Sequence, residues 1–519
     1  EDEARERLAE QPGDDNFYAS ANWFLNQLQD AHVSLGSGAR SNPVTAYRVL
    51  IDLQSVEGRA LVQNLADPSL ADLGIAVGDE VVSVDGVAPH DYLDDILDVE
   101  SLANPLSNQQ LIAFVFVRPG FAARLRPQGP TARVVFRRAD ASEYTRDLIW
   151  REVVRDPIRF VQPVAGGTRV RGDSFLFRPG VEAEAGMPEG SLFTLGAPQP
   201  FFLTSQTIAA FGIEPVVPSP EALAALELDP AALPDIFAGV YEHSGKKILL
   251  LRQPTYAPDD IGLALRYYVA LLIDFEGQVD GLVIDQTHNP GGSVAYVSKF
   301  FELFGGDAPR KFVQAVNTDR LWIDGFREAA SEVDPTLASE GARSFLLRAS
   351  LVERAYDAGE ALTEPMSLTD VSLLQPLGYV WSKPLLVLID ELAASGGDAF
   401  PMLLKANGVA PLFGQHTMGA GGSVELLARL PHSNASLSLT RGLFTASRDD
   451  GAYVESDFVE NVGVAPDIEH ALTVEDFRAG FVGYVSHFSD ALVAQIEARS
   501  PAEPTEPPPA PPSPDPTPH

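Results

Sequence analysis

The run Pro384-Leu385-Leu386-Val387-Leu388-Ile389-Asp390, followed within five residues by Ser395-Gly396-Gly397-Asp398, constrains this chain more than any other stretch. An unbroken apolar run of this length reads as a strand covered on both faces. The segment after it, Asp398-Ala399-Phe400-Pro401-Met402-Leu403-Leu404, reads as a helix entered through a sharp turn. Such a unit presents a hydroxyl at the end of a sheet while the N–H groups of the helix start point at the same place. A serine there can attack a carbonyl, and the N–H groups can hold the resulting oxyanion. Ser-Gly-Gly is also ordinary loop material, so the reading depends on the segments around it.

A second strand–turn–helix unit lies upstream. Gly281-Leu282-Val283-Ile284-Asp285 leads into Gln286-Thr287-His288-Asn289-Pro290-Gly291-Gly292, and Val294, Val297, Phe300, Phe301 and Phe304 follow at helical spacing. Paired glycines after a strand permit close backbone approach and leave N–H groups free for an anion. Two such units in one domain predict parallel neighbours whose loops meet at one sheet edge.

Four segments, taken in order, resemble the C-terminal processing and tricorn-like serine peptidases. Asp285 to Gly292 is similar to their D-x-x-x-N-P-G-G segment, and Ser395 to Asp398 to their nucleophile segment with an acidic residue three positions on. Gly414 to Gly422 is similar to their glycine-rich loop, and Val459 to Asp467 to the E-N-x-G-V-x-P-D close of their core. The resemblance spans about Lys246 to Asp467. It implies a ClpP/crotonase-like βαβ protease core within an α/β and α+β multidomain chain.

Many members of that clan pair the serine with a lysine in the glycine-rich loop, and Ala420 stands at that position here. A serine hydroxyl needs something to take its proton. The resemblance of Phe17 to His32, with its Asp30-Ala31-His32 segment, to the chlamydial protease-like activity factor subfamily implies His32 as the base. Thr287, where the lysine enzymes carry Arg, points the same way. The family's orienting glutamate matches Glu460, with Glu455 and Asp457 as neighbouring alternatives. The implied triad is Ser395, His32 and Glu460, with an oxyanion hole from Gly396 and either Gly291 or Gly292. His288 and His416 lie on the site loops as weaker candidates for the base.

Residues 1–45 read as an N-terminal helical segment carrying His32, with Trp23, Phe24, Leu25 and Leu28 as an amphipathic pattern. Residues 46–150 alternate short apolar runs with turns. Within them, Ala71 to Gly86 resembles a PDZ segment, Gly78-Asp79 forming a turn, Val81, Val82 and Val84 a strand, and Asp85-Gly86 a tight hairpin. Such a module either adds a peptide as an extra strand or serves only structure. Residues 151–245 are expected to be a β-rich lead-in, with runs at 174–177 and 200–203. The core, residues 246–500, carries a helical insertion at about 317–379. Residues 501–519 hold ten prolines and almost no apolar bulk, so they are expected to be a disordered tail.

The net charge of -35 argues against nucleic acid as a partner. With no cysteine there is no thiol nucleophile and no disulfide. No H-E-x-x-H spacing is present, and neither metal nor cofactor is expected. No apolar run reaches membrane-spanning length, so membrane insertion is not expected. A start at Glu1 rather than Met suggests a trimmed chain, and with the resemblance it implies a secreted or periplasmic protein.

The function expected is therefore a serine endopeptidase acting on protein or peptide substrates through an acyl-enzyme, with homodimerisation and precursor self-cleavage suggested by the relatives. The competing expectation is a catalytically inactive binder of apolar ligands or peptides on the same fold, which absence of the lysine would fit.

Overall fold

The computed structural model describes residues 2–10, 13–35, 44–98, 100–119, 123–155, 195–368, 377–429, 435–448, 453–454 and 457–499. The expected proline-rich tail, the run at 174–177 and Glu455 lie outside the described residues.

The central sheet takes its strands in the order Glu214–Pro215, Ala238–His243, Lys246–Arg252, Gly281–Asp285, Leu385–Ile389, Leu412–Gly414 and Ile468–Glu469. From Lys246–Arg252 onward every pairing is parallel. The apolar runs are continuous because both faces are covered. Leu249, Leu251, Leu282, Ile284, Leu385 and Val387 pack with helices Ile261–Glu276, Val294–Gly305 and Gly396–Asn407. The residues between them, Ile248, Leu250, Val283, Leu386 and Leu388, face Phe488, Leu492 and Ile496 of helix Val482–Arg499. Each fully buried Leu or Phe contributes about 1.5–3 kcal/mol, so this double layer fixes where the strand ends lie.

A smaller antiparallel sheet sits beside it. Strand Ser436–Ala446 pairs with Phe312–Val316, with Gly422–Arg429 and, at its far end, with the two-residue strand Ser34–Leu35. The register Ser34 opposite Ser438 and Leu35 opposite Leu437 brings the N-terminal segment onto the core. Helices Asp2–Glu10 and Asp14–Asn26 precede it.

Residues 51–149 build a five-stranded antiparallel sheet from Ile51–Val56, Arg59–Leu65, Glu80–Val84, Thr131–Arg137 and Glu143–Ile149. The turn expected at Asp85-Gly86 has positive φ at both residues, 53° and 86°, as a tight hairpin requires. The insertion holds helices Arg320–Val333 and Glu340–Ala358, with a small core of Ile323, Phe326, Ala349 and Val352.

Among the described residues of the lead-in, Arg151–Arg155, Glu214–Pro215 and Ala238–His243 are strands, but the run expected at 200–203 is not. Residues 200–203 are a turn, followed by helices Ser205–Phe211 and Pro220–Ala225. Thr204 closes a capping box on the first of these, and its hydroxyl donates to the Gly480 carbonyl at 2.8 Å. Capping fixes the helix start, and the Phe202 ring is spent on Tyr484 and Phe488 rather than on a sheet face.

Candidate active site

The two glycine loops meet backbone to backbone. Ala394 N–H donates to the Asn289 carbonyl at 2.9 Å, and a Cβ on Gly291 would fall 2.5 Å from the Ala394 carbonyl oxygen. Asn289 is fully buried; its Oδ1 accepts the Gly291 N–H at 2.8 Å and its Nδ2 donates to the Gln253 carbonyl at 2.9 Å. Beneath this loop Arg252, 1% exposed, pairs with fully buried Asp285 at 3.1 Å and also donates to the carbonyls of Thr287 and Ala197.

Ser395 precedes the first helical residue with φ 56° and ψ -108°, a conformation that costs a non-glycine residue roughly 1–3 kcal/mol. The bonds from Gly397 N–H to the Ala394 carbonyl and from Ala399 N–H to the Ser395 carbonyl hold it there. Its side chain is half-buried and caps nothing. Of the two upstream glycines, Gly291 has its N–H engaged by Asn289, whereas the Gly292 N–H has no acceptor among the described residues. The Gly396 N–H, at the helix start, is likewise unengaged, and Gly396 lies against Gly292, whose nitrogen is 3.1 Å from the point where a Gly396 Cβ would sit. Two free N–H groups therefore flank the serine, the arrangement that stabilises an oxyanion.

His32 and Glu460 come together with a residue that sequence reasoning did not assign a role, Asp30. Their ligating atoms all lie within 4.8 Å of one another. Asp30 Oδ1 accepts the His32 N–H at 2.8 Å and the Thr440 hydroxyl at 3.0 Å. The His32 Nδ1 and both Glu460 oxygens are shielded from solvent and make no hydrogen bond. Burial pushes the imidazole below its ordinary value, with Asp30 raising it in part. Burial, then the charges of Asp30 and Asp398, push the Glu460 carboxyl up to about 9, with the nearby Gly421 N–H pulling it down in part. No hydrogen bond joins His32 to Ser395 or Glu460 in this resting arrangement; such bonds are often long before substrate closes the site. Asp457 is turned elsewhere, pairing with Arg448 at 2.9 Å. His288 is buried, with its N–H on Asp390 and its ring edge-on to Phe201, and His416 is exposed.

Residues 265–470 match the family model described as peptidase family S41, and residues 49–158 match that of a PDZ domain. The chain carries an S41 peptidase domain behind a PDZ domain. A Chlamydia trachomatis serovar D protein is 25% identical over 91% of this chain and 83% of its own length. A Chlamydia pneumoniae protein is 33% identical, but the match covers 40% of this chain and only 36% of that relative. Among solved structures, mature CPAF has a TM-score of 0.69 at 22% identity, and mature CPAF complexed with lactacystin 0.68 at 22%. Each match covers 96% of this chain and 92% of the other, and this likeness is one of fold. The S41 match indicates a protease of the serine type, as the sequence motifs imply.

Within the S41 domain, Asp398 ties helix Gly396–Asn407 to the glycine-rich loop: its Oδ1 accepts from the Thr417 hydroxyl and from the Gly419 N–H at 2.9 Å. Burial pushes this carboxyl up to about 7. Ala420 is fully buried in one apolar cluster with Ala31 and Ala394, the residues preceding His32 and Ser395. The lysine position is thus occupied by packing. The same cluster runs on into Leu111, Ile112 and Phe114 of the PDZ domain. Asp30 could have been found from its D-x-H spacing; the polar contacts the PDZ domain makes with the site loops carry no local sequence signal. Among the described residues no helix is long and apolar enough to cross a membrane.

Proposed function

We propose that the protein is a serine endopeptidase that hydrolyses peptide bonds of protein substrates through Ser395, His32 and Glu460. His32 takes the Ser395 hydroxyl proton as Ser395 Oγ bonds to the scissile carbonyl carbon. The carbonyl oxygen, now negative, lies against the N–H groups of Gly396 and Gly292. Collapse breaks the C–N bond, the amine leaves with the proton held by His32, and the Ser395 ester is hydrolysed by water activated through the same base. Asp30 stabilises the imidazolium that each step creates through its charge, and a Glu460 oxygen does so by accepting from the ring N–H. The observation that carries this reading is the strained, uncapped Ser395 between two unengaged N–H groups.

The test is hydrolysis of quenched, labelled casein by the parent chain, Ser395→Ala, His32→Ala and Glu460→Gln. Loss of turnover in the first two and partial loss in the third is expected; activity surviving His32→Ala would remove His32 as base. One similar structure holds lactacystin, and a mass adduct with this chain that disappears in Ser395→Ala is the expected companion result. A chain that neither hydrolyses casein nor labels would instead be a binder on a peptidase fold. Homodimerisation and a secreted or periplasmic location belong to the same proposal. Sedimentation at the monomer mass across a concentration series would remove the first, and retention of the protein in the cytoplasm of the cell that makes it the second.

A further inference from the structure

Asp30, His32 and Glu460 hold more ligating capacity than an acyl-transfer site needs. A triad uses one carboxylate behind its histidine. Here two carboxylates and an imidazole bring their ligating atoms within 4.8 Å of one another, and neither carboxylate has a Lys or Arg partner among the described residues. The Nδ1 of His32 and both oxygens of Glu460 are shielded from water and make no hydrogen bond. Buried polar atoms left in this state each cost roughly 1–3 kcal/mol, so the cluster lacks a partner that would satisfy all of them together. A proton on His32 Nδ1 or on Glu460 only turns an acceptor into a donor and, with no hydrogen bond between them, leaves that atom still unpaired. A cation at the centre would satisfy the imidazole nitrogen and an oxygen from each carboxylate.

We propose that Asp30, His32 and Glu460 form a binding site for a divalent transition-metal ion, Zn2+ by the chemistry of its ligands, and that occupancy switches the peptidase off. One imidazole and two carboxylates suit Zn2+, which takes N and O ligands in tetrahedral sites, whereas Mg2+ and Ca2+ favour oxygen alone. Zinc bonds of about 2.0–2.2 Å place tetrahedral ligands roughly 3.3–3.6 Å apart. The present spread of up to 4.8 Å closes by side-chain shifts of about 1 Å, within reach of rotamer adjustment. Asp30 is anchored already by the His32 N–H and Thr440 through Oδ1, leaving Oδ2 for the ion. The fourth position would be open to water. The inhibitory half of the proposal rests on His32 being the base, since the ion competes with the serine proton for the imidazole; the binding half does not depend on it.

Isothermal titration of the full chain with Zn2+ alone at pH 7.5, after stripping with a chelator, separates the two halves. One ion per chain with micromolar affinity is expected for the parent and for Ser395→Ala. Asp30→Asn keeps the acceptor for the His32 N–H and is expected to weaken binding at least tenfold, as is Glu460→Gln. Undiminished binding in both variants would place the ion elsewhere, for example at the neighbouring rings of His470 and His487, and overturn the proposal. So would the absence of binding at 1 mM zinc. Casein turnover is expected to fall with the parent's zinc occupancy, to recover with chelator, and in Asp30→Asn, whatever turnover that variant retains, to need at least tenfold more zinc for the same fractional loss. Binding that leaves parent turnover intact would overturn the switch. A parent inactive without zinc would count against the catalytic reading, and titration would still decide the site.

Discussion

Gln110 Nε2 donates to Glu391 Oε1 at 2.7 Å, and this bond joins the PDZ domain to the loop that ends in Ser395. Gln110 is itself fixed by two 3.0 Å bonds to the Ser55 backbone. Nearby, Ser107 donates to the Glu391 carbonyl at 2.6 Å, and Asn104 Nδ2 to the carbonyls of Thr417 and Met418 at 3.1 and 2.6 Å. The domain therefore grips both the loop that ends in Ser395 and the glycine-rich loop. Gln110→Ala leaves a buried carboxyl without its donor, at about 1–3 kcal/mol. We expect kcat on casein to fall about tenfold, about 1.4 kcal/mol, with KM within twofold. A change confined to KM would place Gln110 in substrate binding instead.

Arg252 and Asp285 form a fully buried pair at the end of two parallel strands, directly below the loop that carries Gly291 and Gly292. Removing one member leaves an uncompensated charge, which costs about 3–5 kcal/mol. Asp285→Ala is expected to lower the urea midpoint accordingly at unchanged slope, and Asp285→Asn by less. A loss under about 1 kcal/mol for Asp285→Ala would mean that Arg252 finds a new partner.

Gly291 combines φ 89° with a Cβ position 2.6 Å from both Gly396 N and Ser395 Cβ. Gly291→Ala must push the two loops apart, and we expect it to abolish casein turnover and lower Tm. Gly277→Ala is its control: φ is -71°, and nothing lies within 4 Å of the added methyl. Equal activity in the two variants would show that loop contact is not required for catalysis.

The strands and helices around the site were legible because each carries its own local signal. Leu385–Ile389 is an unbroken apolar run, helix Val294–Gly305 has its aromatic stripe, and the turn at Asp85-Gly86 has the residues that positive φ demands. Motif order placed Ser395 and the glycines on one sheet edge. Which of Gly291 and Gly292 keeps a free N–H was not legible, because it turns on which one the Asn289 side chain engages. Asp30 is marked in the sequence only by its D-x-H spacing; its contact with Thr440 arises once Ser34–Leu35 pairs with the strand that carries that residue. Residues 200–203 look like a strand by composition, but their rings are consumed by tertiary packing on Tyr484 and Phe488. Tertiary contact overrides β-propensity in such cases.

Asp30 and Glu460 also set opposite pH signatures that one experiment can read, with chelator present throughout. His32 must be neutral to act as base, and burial holds it below 6.5, so the acid limb of kcat/KM should have its midpoint below pH 6.5. Asp30 raises the imidazole toward that value. Asp30→Asn retains the acceptor for His32 N–H, removes the charge, and should move the limb to lower pH; a shift upward would contradict the assignment of charge. Glu460 acts on stability. Its carboxyl is near 4.5 when unfolded and about 9 when folded, so the fold holds a proton that the unfolded chain releases. That contribution is complete below about pH 4.5 and is lost as pH rises through 9. Tm should therefore fall between pH 5 and 9, and Glu460→Gln, which has no proton to lose, should flatten the fall while impairing turnover. A variant whose Tm follows the parent's across that range would mean that Glu460 is ionised in the resting fold at neutral pH.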